Sequence, residues 1–357
     1  MKRFSCQVCG QLLFFENSQC LNCGSRLGYL PDLAVLSALE SDPAMAESWV
    51  PLAPEAGQQS FRLCTNYSQH NVCNWLVPAD SDSAFCRACQ LNRTIPSLDL
   101  DENQVAWYRL EVAKRRLVYS LLALNLPVES KEREPEQGLA FDFLADLEAD
   151  PAPVLIGHAD GLITLNIAEA DDAYREQTRT ALGEPYRTLL GHFRHEIGHY
   201  YWDRLIRDSN WLAEFRQRFG DERGDYQAAL EQHYRQGPPL DWQQHFVSAY
   251  ATSHPWEDWA ETWAHYIHIV DAIETAQAFG LSVQIDQVNG DANSFDPDSV
   301  RLPVQPFEQI FKAWLPLTFA VNSLNRSLGQ PDLYPFVLPP RAVEKLDFVH
   351  RVIKSWA

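Results

Sequence analysis

The stretch HFRHEIGHYYWDRL, residues 192–205, contains the pattern His195-Glu196-x-x-His199. Residues four apart lie on the same face of a helix, so the two imidazoles can bind one metal ion. Glu196 lies beside them and can accept a proton from a water molecule whose pKa the metal has lowered. The pattern is typical of a helix that carries a catalytic zinc site. The alternative is an ordinary helix with a coincidental match.

A catalytic zinc ion needs a third protein ligand and keeps one coordination position open. The helical pattern over residues 256–279 places carboxylates and histidines on roughly one face. The candidate ligands on it are Glu257, Asp258, Glu261 and His265. The histidines 192, 265 and 268 are more readily explained as packing or solvent-facing residues. The pattern alone leaves the choice of the third ligand open.

The segment YATSHPWEDWAETW, residues 250–263, resembles the second half of the zinc site in the lethal-factor and Pro-Pro endopeptidase group of gluzincin proteases. In that group the ligand glutamate is followed four residues later by another glutamate and preceded seven residues earlier by a tyrosine. Glu257, Glu261 and Tyr250 match this spacing. The resemblance implies that Glu257 binds zinc, Glu261 orients the site, and Tyr250 stabilises the oxyanion by a hydrogen bond.

Two further assignments accompany this hypothesis. Asp203 follows His199 by four residues, so it can orient a histidine from behind. Glu261 also stays open as the ligand, because two carboxylates one helical turn apart exchange roles after a small rotation of the helix. Tyr250 has an alternative too, as a core aromatic residue.

All eight cysteines lie within the first 89 residues, which indicates a separate module. They form two sets of four, rich in the Cys-x-x-Cys pairs of zinc ribbons. The sets are Cys6, Cys9, Cys20 and Cys23, and Cys64, Cys73, Cys86 and Cys89. We predict one or two structural zinc ions there, besides one catalytic zinc. His70 is an alternative ligand in the second set, the pairs can also cross-assemble, and disulfides or buried thiols are the alternative to zinc.

Across nearly its full length the chain also resembles a bacterial family of zinc-binding metallopeptidases with an N-terminal zinc ribbon. The resemblance runs through the segments CNWLVPAD, CRACQLNRTIP, GHADGLITLNIAEADDAYRE, HFRHEIGHYYWDRL and HPWEDWAETWAHY. It supports a zinc-ribbon module with two four-cysteine sites at residues 1–95, followed by a zincin-like metallohydrolase domain at residues 96–357. The predicted class is α+β: a mainly helical domain with a small β-hairpin or sheet after a small cysteine-rich domain. Helical patterns cover residues 101–124 and 256–279, and a hairpin signal surrounds Ala159-Asp160-Gly161.

Composition restricts the partners. The formal net charge is −19, and residues 1–95 contain six Lys/Arg against eight Asp/Glu, so we do not expect nucleic-acid binding. No export signal and no apolar stretch of membrane-spanning length is recognised, so we expect a soluble, cytoplasmic protein. The expected partner is a peptide or protein substrate, and a protein that docks on the zinc ribbon is a further candidate.

The leading hypothesis is a zinc metallopeptidase that hydrolyses a peptide or related amide bond with Glu196 as general base. The alternative is a zinc-dependent interaction protein, with the cysteine module as its working surface and a structural or inactive His-Glu site. An inactive descendant of a protease would be expected to lose its base, and Glu196 is present, which favours the enzyme.

Overall fold

The computed structural model describes residues 1–146, 154, 156–182, 184, 186–285 and 294–356. The chain divides into two compact units. The first comprises Met1–Ala123 and Pro127–Arg175, and the second comprises Leu124–Leu126 and Glu176–Ala357. The sequence-based boundary between residues 95 and 96 is a different division, and it stays a prediction.

Strands are concentrated in the first unit. In chain order they are β1 Phe4–Ser5, β2 Leu12–Leu13, β3 Leu27–Leu30, β4 Val35–Ser41, β5 Ser48–Pro51, β6 Phe61–Leu63, β7 Leu76–Pro78, β8 Asn92–Thr94, β9 Ala140–Leu144, β10 Gly157–Ala159, β11 Leu162–Asn166, β12 Val283–Gln284 and β13 Ser294–Phe295. Strands β1–β2 and β12–β13 form two-stranded sheets, and β3 to β7 form an antiparallel sheet in sequence order. The fourth sheet has the order β10-β11-β9-β8, in which β9 pairs in parallel with β11 and β8.

Helices make up most of the second unit. The α-helices are α1 Thr65–Ser68, α2 Asp101–Ala123, α3 Asp172–Leu182, α4 Leu189–Leu205, α5 Leu212–Phe219, α6 Tyr226–Gln236, α7 Pro255–Ala278, α8 Phe307–Ser327 and α9 Pro340–Trp356. Helices α2 and α7 confirm the two helical patterns read from the sequence. In the described part of the chain, no helix is long and apolar enough to cross a membrane.

The predicted hairpin is confirmed. Strands β10 and β11 pair antiparallel, with Ala159 opposite Leu162, and Asp160-Gly161 forms the two-residue turn between them. Both turn residues have positive φ, +48° and +79°, as tight hairpin turns with the right-handed strand twist require. The mixed helix-and-sheet class is therefore confirmed, together with a cysteine-rich region that resembles a zinc ribbon.

Two helices, α4 and α7, form the centre of the second unit. Helix α4 begins at a Thr188 cap, whose hydroxyl accepts a hydrogen bond from the backbone N–H of Gly191. Helix α7 begins with Pro255 in its first turn, after a His254 cap. Many side chains of both helices are buried, as expected of helices inside a core rather than on its surface.

The two helices approach closely at Gly198. A Cβ atom on this residue would lie 3.0 Å from the Cα of Ala260 and 3.2 Å from the Cβ of Trp263. The indole N–H of Trp259 donates a 2.8 Å hydrogen bond to the carbonyl of Gly198. Small residues at a helix crossing let the backbones come together, and here they set the spacing between the motif on α4 and the carboxylates on α7.

Replacing Gly198 by valine should therefore separate the two helices or strain them. Overpacking a filled core costs about 1–3 kcal/mol, so we expect the free energy of unfolding to fall by about that amount. Urea unfolding followed by tryptophan fluorescence measures the loss. Gly224→Val is the control, because a Cβ there meets nothing nearer than 3.8 Å. Equal stabilities of the two variants would contradict the close-packing interpretation.

Candidate metal centre

The two motif histidines and one carboxylate of α7 face a common point. Nitrogens of His195 and His199 and a carboxylate oxygen of Glu257 all lie within 4.8 Å of one another. The Nε2 atom of His195 is 2.9 Å from Oε2 of Glu257, and the Nε2 atom of His199 is 3.5 Å from Oε1. Ligands about 2.0–2.1 Å from a tetrahedral zinc ion are about 3.3 Å apart, so these separations fit zinc.

The second ring nitrogen of His195, Nδ1, contacts the carboxylate of Glu261. This nitrogen lies 2.6 Å from Oε1 of Glu261, and the second oxygen of Glu261 accepts a 2.6 Å hydrogen bond from the Ser248 hydroxyl. A carboxylate on Nδ1 fixes the ring orientation and the tautomer of a metal-binding histidine. Glu261 thus lies on the far side of the ring from Glu257. No spacing rule relates Ser248 to the His-Glu motif, so sequence reasoning missed this residue.

The charges of the site favour a cation. Burial raises the pKa of Glu257, but His199 and His195 outweigh that effect and hold the pKa well below its usual value. Burial lowers the pKa of His195, yet its contacts with Glu257 and Glu261 hold this pKa well above the usual value. Glu257 is only 1% exposed, so its negative charge needs a positive partner, supplied by an imidazolium or a metal ion. The donor set therefore fits a zinc ion in both geometry and charge.

Glu196 lies on α4 between the two histidines and is 6% exposed. One of its carboxylate oxygens is 3.3 Å from Nε2 of His192. Burial raises the pKa of Glu196, but His192 and the neighbouring histidines lower it by more, and the net shift is downward. Glu196 is thus a buried carboxylate that interacts electrostatically with both motif histidines, and its lowered pKa favours the anionic form, which can accept a proton.

Two tyrosines lie next to this centre. The centres of the Tyr250 and His195 rings are 5.9 Å apart. Burial, and to a lesser extent the negative charge of Glu257, strongly raises the pKa of Tyr250. The hydroxyl of Tyr226, the first residue of α6, donates a 2.7 Å hydrogen bond to Oε1 of Glu257. Sequence reasoning missed Tyr226, because it belongs to a separate helix with no spacing rule that relates it to the motif.

The structure gives other partners to the remaining ligand candidates. Asp258 accepts a 2.6 Å hydrogen bond from the Lys345 ammonium group, and burial raises its pKa to about 7. The Nδ1 atom of His265 is 2.5 Å from the hydroxyl of Tyr334. Asp203 accepts a 2.9 Å hydrogen bond from Arg207, and its orienting role stays a prediction.

Two known family models match this chain. The family model described as "Putative zinc-binding metallo-peptidase" matches residues 103–352, which include the donor residues from His195 to Glu257. The chain belongs to this metallo-peptidase family. A zinc-ribbon domain model matches residues 3–100, which include all eight cysteines.

The relatives of this metallo-peptidase family member include mycobacterial proteins of similar length. Uncharacterized proteins of Mycobacterium tuberculosis (strain H37Rv) and Mycobacterium bovis are each 44% identical over 358 residues. Each alignment covers 100% of this chain and 96% of the relative. No solved structure matches the chain.

The zinc-ribbon region contains the two cysteine sets in the predicted grouping. Sulfur atoms are 3.6 Å apart in the pairs Cys6/Cys23 and Cys9/Cys20, and 3.7 Å apart in the pair Cys73/Cys86. Disulfide sulfurs are about 2.05 Å apart, whereas sulfurs about 2.3 Å from a tetrahedral zinc ion are about 3.8 Å apart. The separations fit zinc. All four cysteines of the second set are buried, and Cys23 of the first set is exposed.

A buried ion cluster on α2 adjoins the second cysteine set. Oε1 of Glu111 is 2.8 Å from the Lys114 ammonium nitrogen, and Oε2 is 3.9 Å from Nη1 of Arg115. The Sγ atom of Cys89 is 4.0 Å from the carboxylate of Glu111. Burial lowers the pKa of Arg115, but the charges of Cys73 and Glu111 hold it above its usual value. Lys114 and Arg115 therefore offset the buried charge of Glu111, and Arg115 also interacts electrostatically with cysteines of the second set.

We expect Glu111→Leu to destabilise the first unit by about 3–5 kcal/mol, because removing one partner leaves buried cations without their carboxylate. Glu102→Leu, at an exposed position of the same helix, is the matched control and should change stability by less than about 0.5 kcal/mol. Thermal unfolding of the zinc-loaded proteins makes the comparison. The buried cluster would not contribute to stability if both variants melted like wild type.

Elemental analysis of purified protein tests the three metal-binding groups that the described residues form. We expect about three zinc ions per wild-type chain and about two in His199→Ala and Glu257→Ala, because each substitution removes a ligand of the His-Glu site. Glu261→Ala should bind the third zinc ion more weakly. Two zinc ions in every protein would mean that the His-Glu motif holds no metal.

Proposed function

We propose that this protein is a zinc-dependent metallopeptidase of gluzincin type, with His195, His199 and Glu257 as the ligands of a catalytic zinc ion. The convergence of two helix-borne imidazoles and a buried carboxylate on one point, with Glu196 beside them, supports the proposal. Membership of the metallo-peptidase family supports the same chemistry. The proposal includes a zincin-like fold for the domain at residues 96–357.

A zinc ion held by His195, His199 and Glu257 would act as a Lewis acid that polarises the scissile carbonyl and lowers the pKa of a water molecule. Glu196 takes the proton from the attacking water and passes it to the leaving amine. Its buried carboxylate interacts electrostatically with both ligand histidines, which supports this role. Glutamine at this position would keep the size of the side chain and lose the ability to accept the proton.

The surrounding residues orient this machinery. Glu261, held by Ser248, keeps the Nδ1 side of His195 occupied, so that Nε2 faces Glu257 and the metal position. Tyr250 donates a hydrogen bond to the oxyanion that forms on the substrate carbonyl. Its ring lies against His195, which supports this assignment. The spacing resemblance to the lethal-factor and Pro-Pro endopeptidase group supports the same roles for Glu257, Glu261 and Tyr250.

The decisive experiment screens wild-type protein against a quenched-fluorescence peptide library and repeats any cleavage with Glu196→Gln. We expect the variant to bind as much zinc as wild type and to lose about 10²–10⁴-fold in kcat, the usual contribution of a general base. Tyr250→Phe should lose about 10²–10³-fold in kcat, as removal of one oxyanion donor does.

The control for this experiment is Tyr108→Phe, which removes the hydroxyl of a tyrosine that is 41% exposed on α2. Its activity should equal that of wild type. Full activity of Glu196→Gln would refute the assignment of the base. A wild-type protein that binds the third zinc ion but cleaves no peptide would argue for a different amide substrate or an inactive site.

A further inference from the structure

The two oxygens of the Glu257 carboxylate have different neighbours. Oε2 lies 2.9 Å from Nε2 of His195. Oε1 accepts the 2.7 Å hydrogen bond from the Tyr226 hydroxyl and is 3.5 Å from Nε2 of His199. A glutamate ligand can bind a metal ion through one oxygen or through both. The hydroxyl of Tyr226 occupies a lone pair of one oxygen and leaves the other without this competition.

The position of Tyr226 depends on the residues that begin α7. Its ring packs edge-on against the ring of His254, with 5.2 Å between centroids, and against Trp256 at 5.9 Å. His254 is the cap of α7, and its Nδ1 atom lies 3.2 Å from the backbone nitrogen of Trp256. The same turn of chain therefore positions Glu257 and the tyrosine that contacts it.

The start of α6 holds the other end of Tyr226. The carboxylate of Asp225 accepts a 3.0 Å hydrogen bond from the backbone N–H of Ala228, which caps the helix directly before Tyr226. The backbone of Tyr226 is thus fixed by a capped helix end, and its ring is fixed by two aromatic neighbours. Because both the backbone and the ring of Tyr226 are fixed, its hydroxyl can restrict the rotation of the Glu257 carboxylate.

We propose that Tyr226 is a positioning residue that holds the Glu257 carboxylate in the orientation in which it would bind the catalytic metal together with His195 and His199. A carboxylate restricted in this way would bind the metal more tightly than one that rotates freely. Tyr226 differs in role from Tyr250, which we assign to the substrate oxyanion. This inference rests on the proposed function, because it takes Glu257 as a zinc ligand.

The test compares Tyr226→Phe with wild type and with Tyr108→Phe, a change at an exposed tyrosine of α2, all as full-length zinc-loaded protein. Phenylalanine keeps the ring and its packing against His254 and Trp256, and it removes only the hydroxyl. Chelator competition measures the dissociation constant of the third zinc ion, which we expect the His199→Ala variant to lose. Removal of outer-sphere hydrogen bonds to zinc ligands typically weakens binding 10–100-fold, and we expect a change of that size in Tyr226→Phe alone.

The outcomes separate the possible failures. Weaker zinc binding supports the positioning role, whether or not a peptide substrate has been found, if Tyr226→Phe leaves unchanged the thermal unfolding midpoint of the His199→Ala protein, which keeps the zinc ions of the cysteine sets. Unchanged zinc affinity would overturn it, and a 10²–10³-fold fall in kcat at that affinity would instead make Tyr226 an oxyanion donor. A wild-type protein that binds only two zinc ions would overturn both this inference and the proposed function.

Discussion

The close approach of α4 to α7 at Gly198 is the constraint on which the candidate metal centre depends. The missing side chain lets the backbone of α4 lie against Ala260, and the indole of Trp259 then bonds to the Gly198 carbonyl. Donor atoms on two different helices must lie within a few ångströms of one another to share one ion. Since a Cβ at Gly198 would already be 3.0 Å from the neighbouring backbone, a larger residue there would move His195 and His199 away from Glu257.

The charge balance of the candidate metal centre also depends on whether a cation is bound. Glu196 and Glu257 are both buried and both interact with the two histidines, and Glu261 contacts His195 on its other ring nitrogen. Buried carboxylates are costly without positive partners, and imidazoles balance this charge only while they are protonated. A bound divalent cation balances the negative charge of the carboxylates while the histidines stay neutral and act as ligands. The same residues that would be unfavourable in an ordinary core are therefore well suited to a metal site.

Charge compensation also distinguishes the two cysteine sets. In the second set all four thiols are buried, and Arg115 of α2 interacts electrostatically with Cys73 and Cys89. In the first set Cys23 is exposed, and its sulfur lies 3.1 Å from the Ser25 hydroxyl. Solvent and a hydroxyl can stabilise exposed thiolates, whereas buried thiolates need fixed cations. Helix α2, which follows the last cysteine, is thus part of the environment of the second set.

The sequence by itself determined the helices α2 and α7, the hairpin at Asp160-Gly161 and the two cysteine sets, because these depend on local periodicity, turn chemistry and ligand spacing. It also indicated His195, Glu196 and His199, since residues four apart share a helix face. Only the tertiary structure decided how the carboxylates of α7 are arranged: Glu257 faces both histidines, Glu261 faces the back of His195, and Asp258 bonds to Lys345. Tyr226 and Ser248 came from the structure alone. Their contacts join segments far apart in the chain, and the packing of one helix against another sets such contacts.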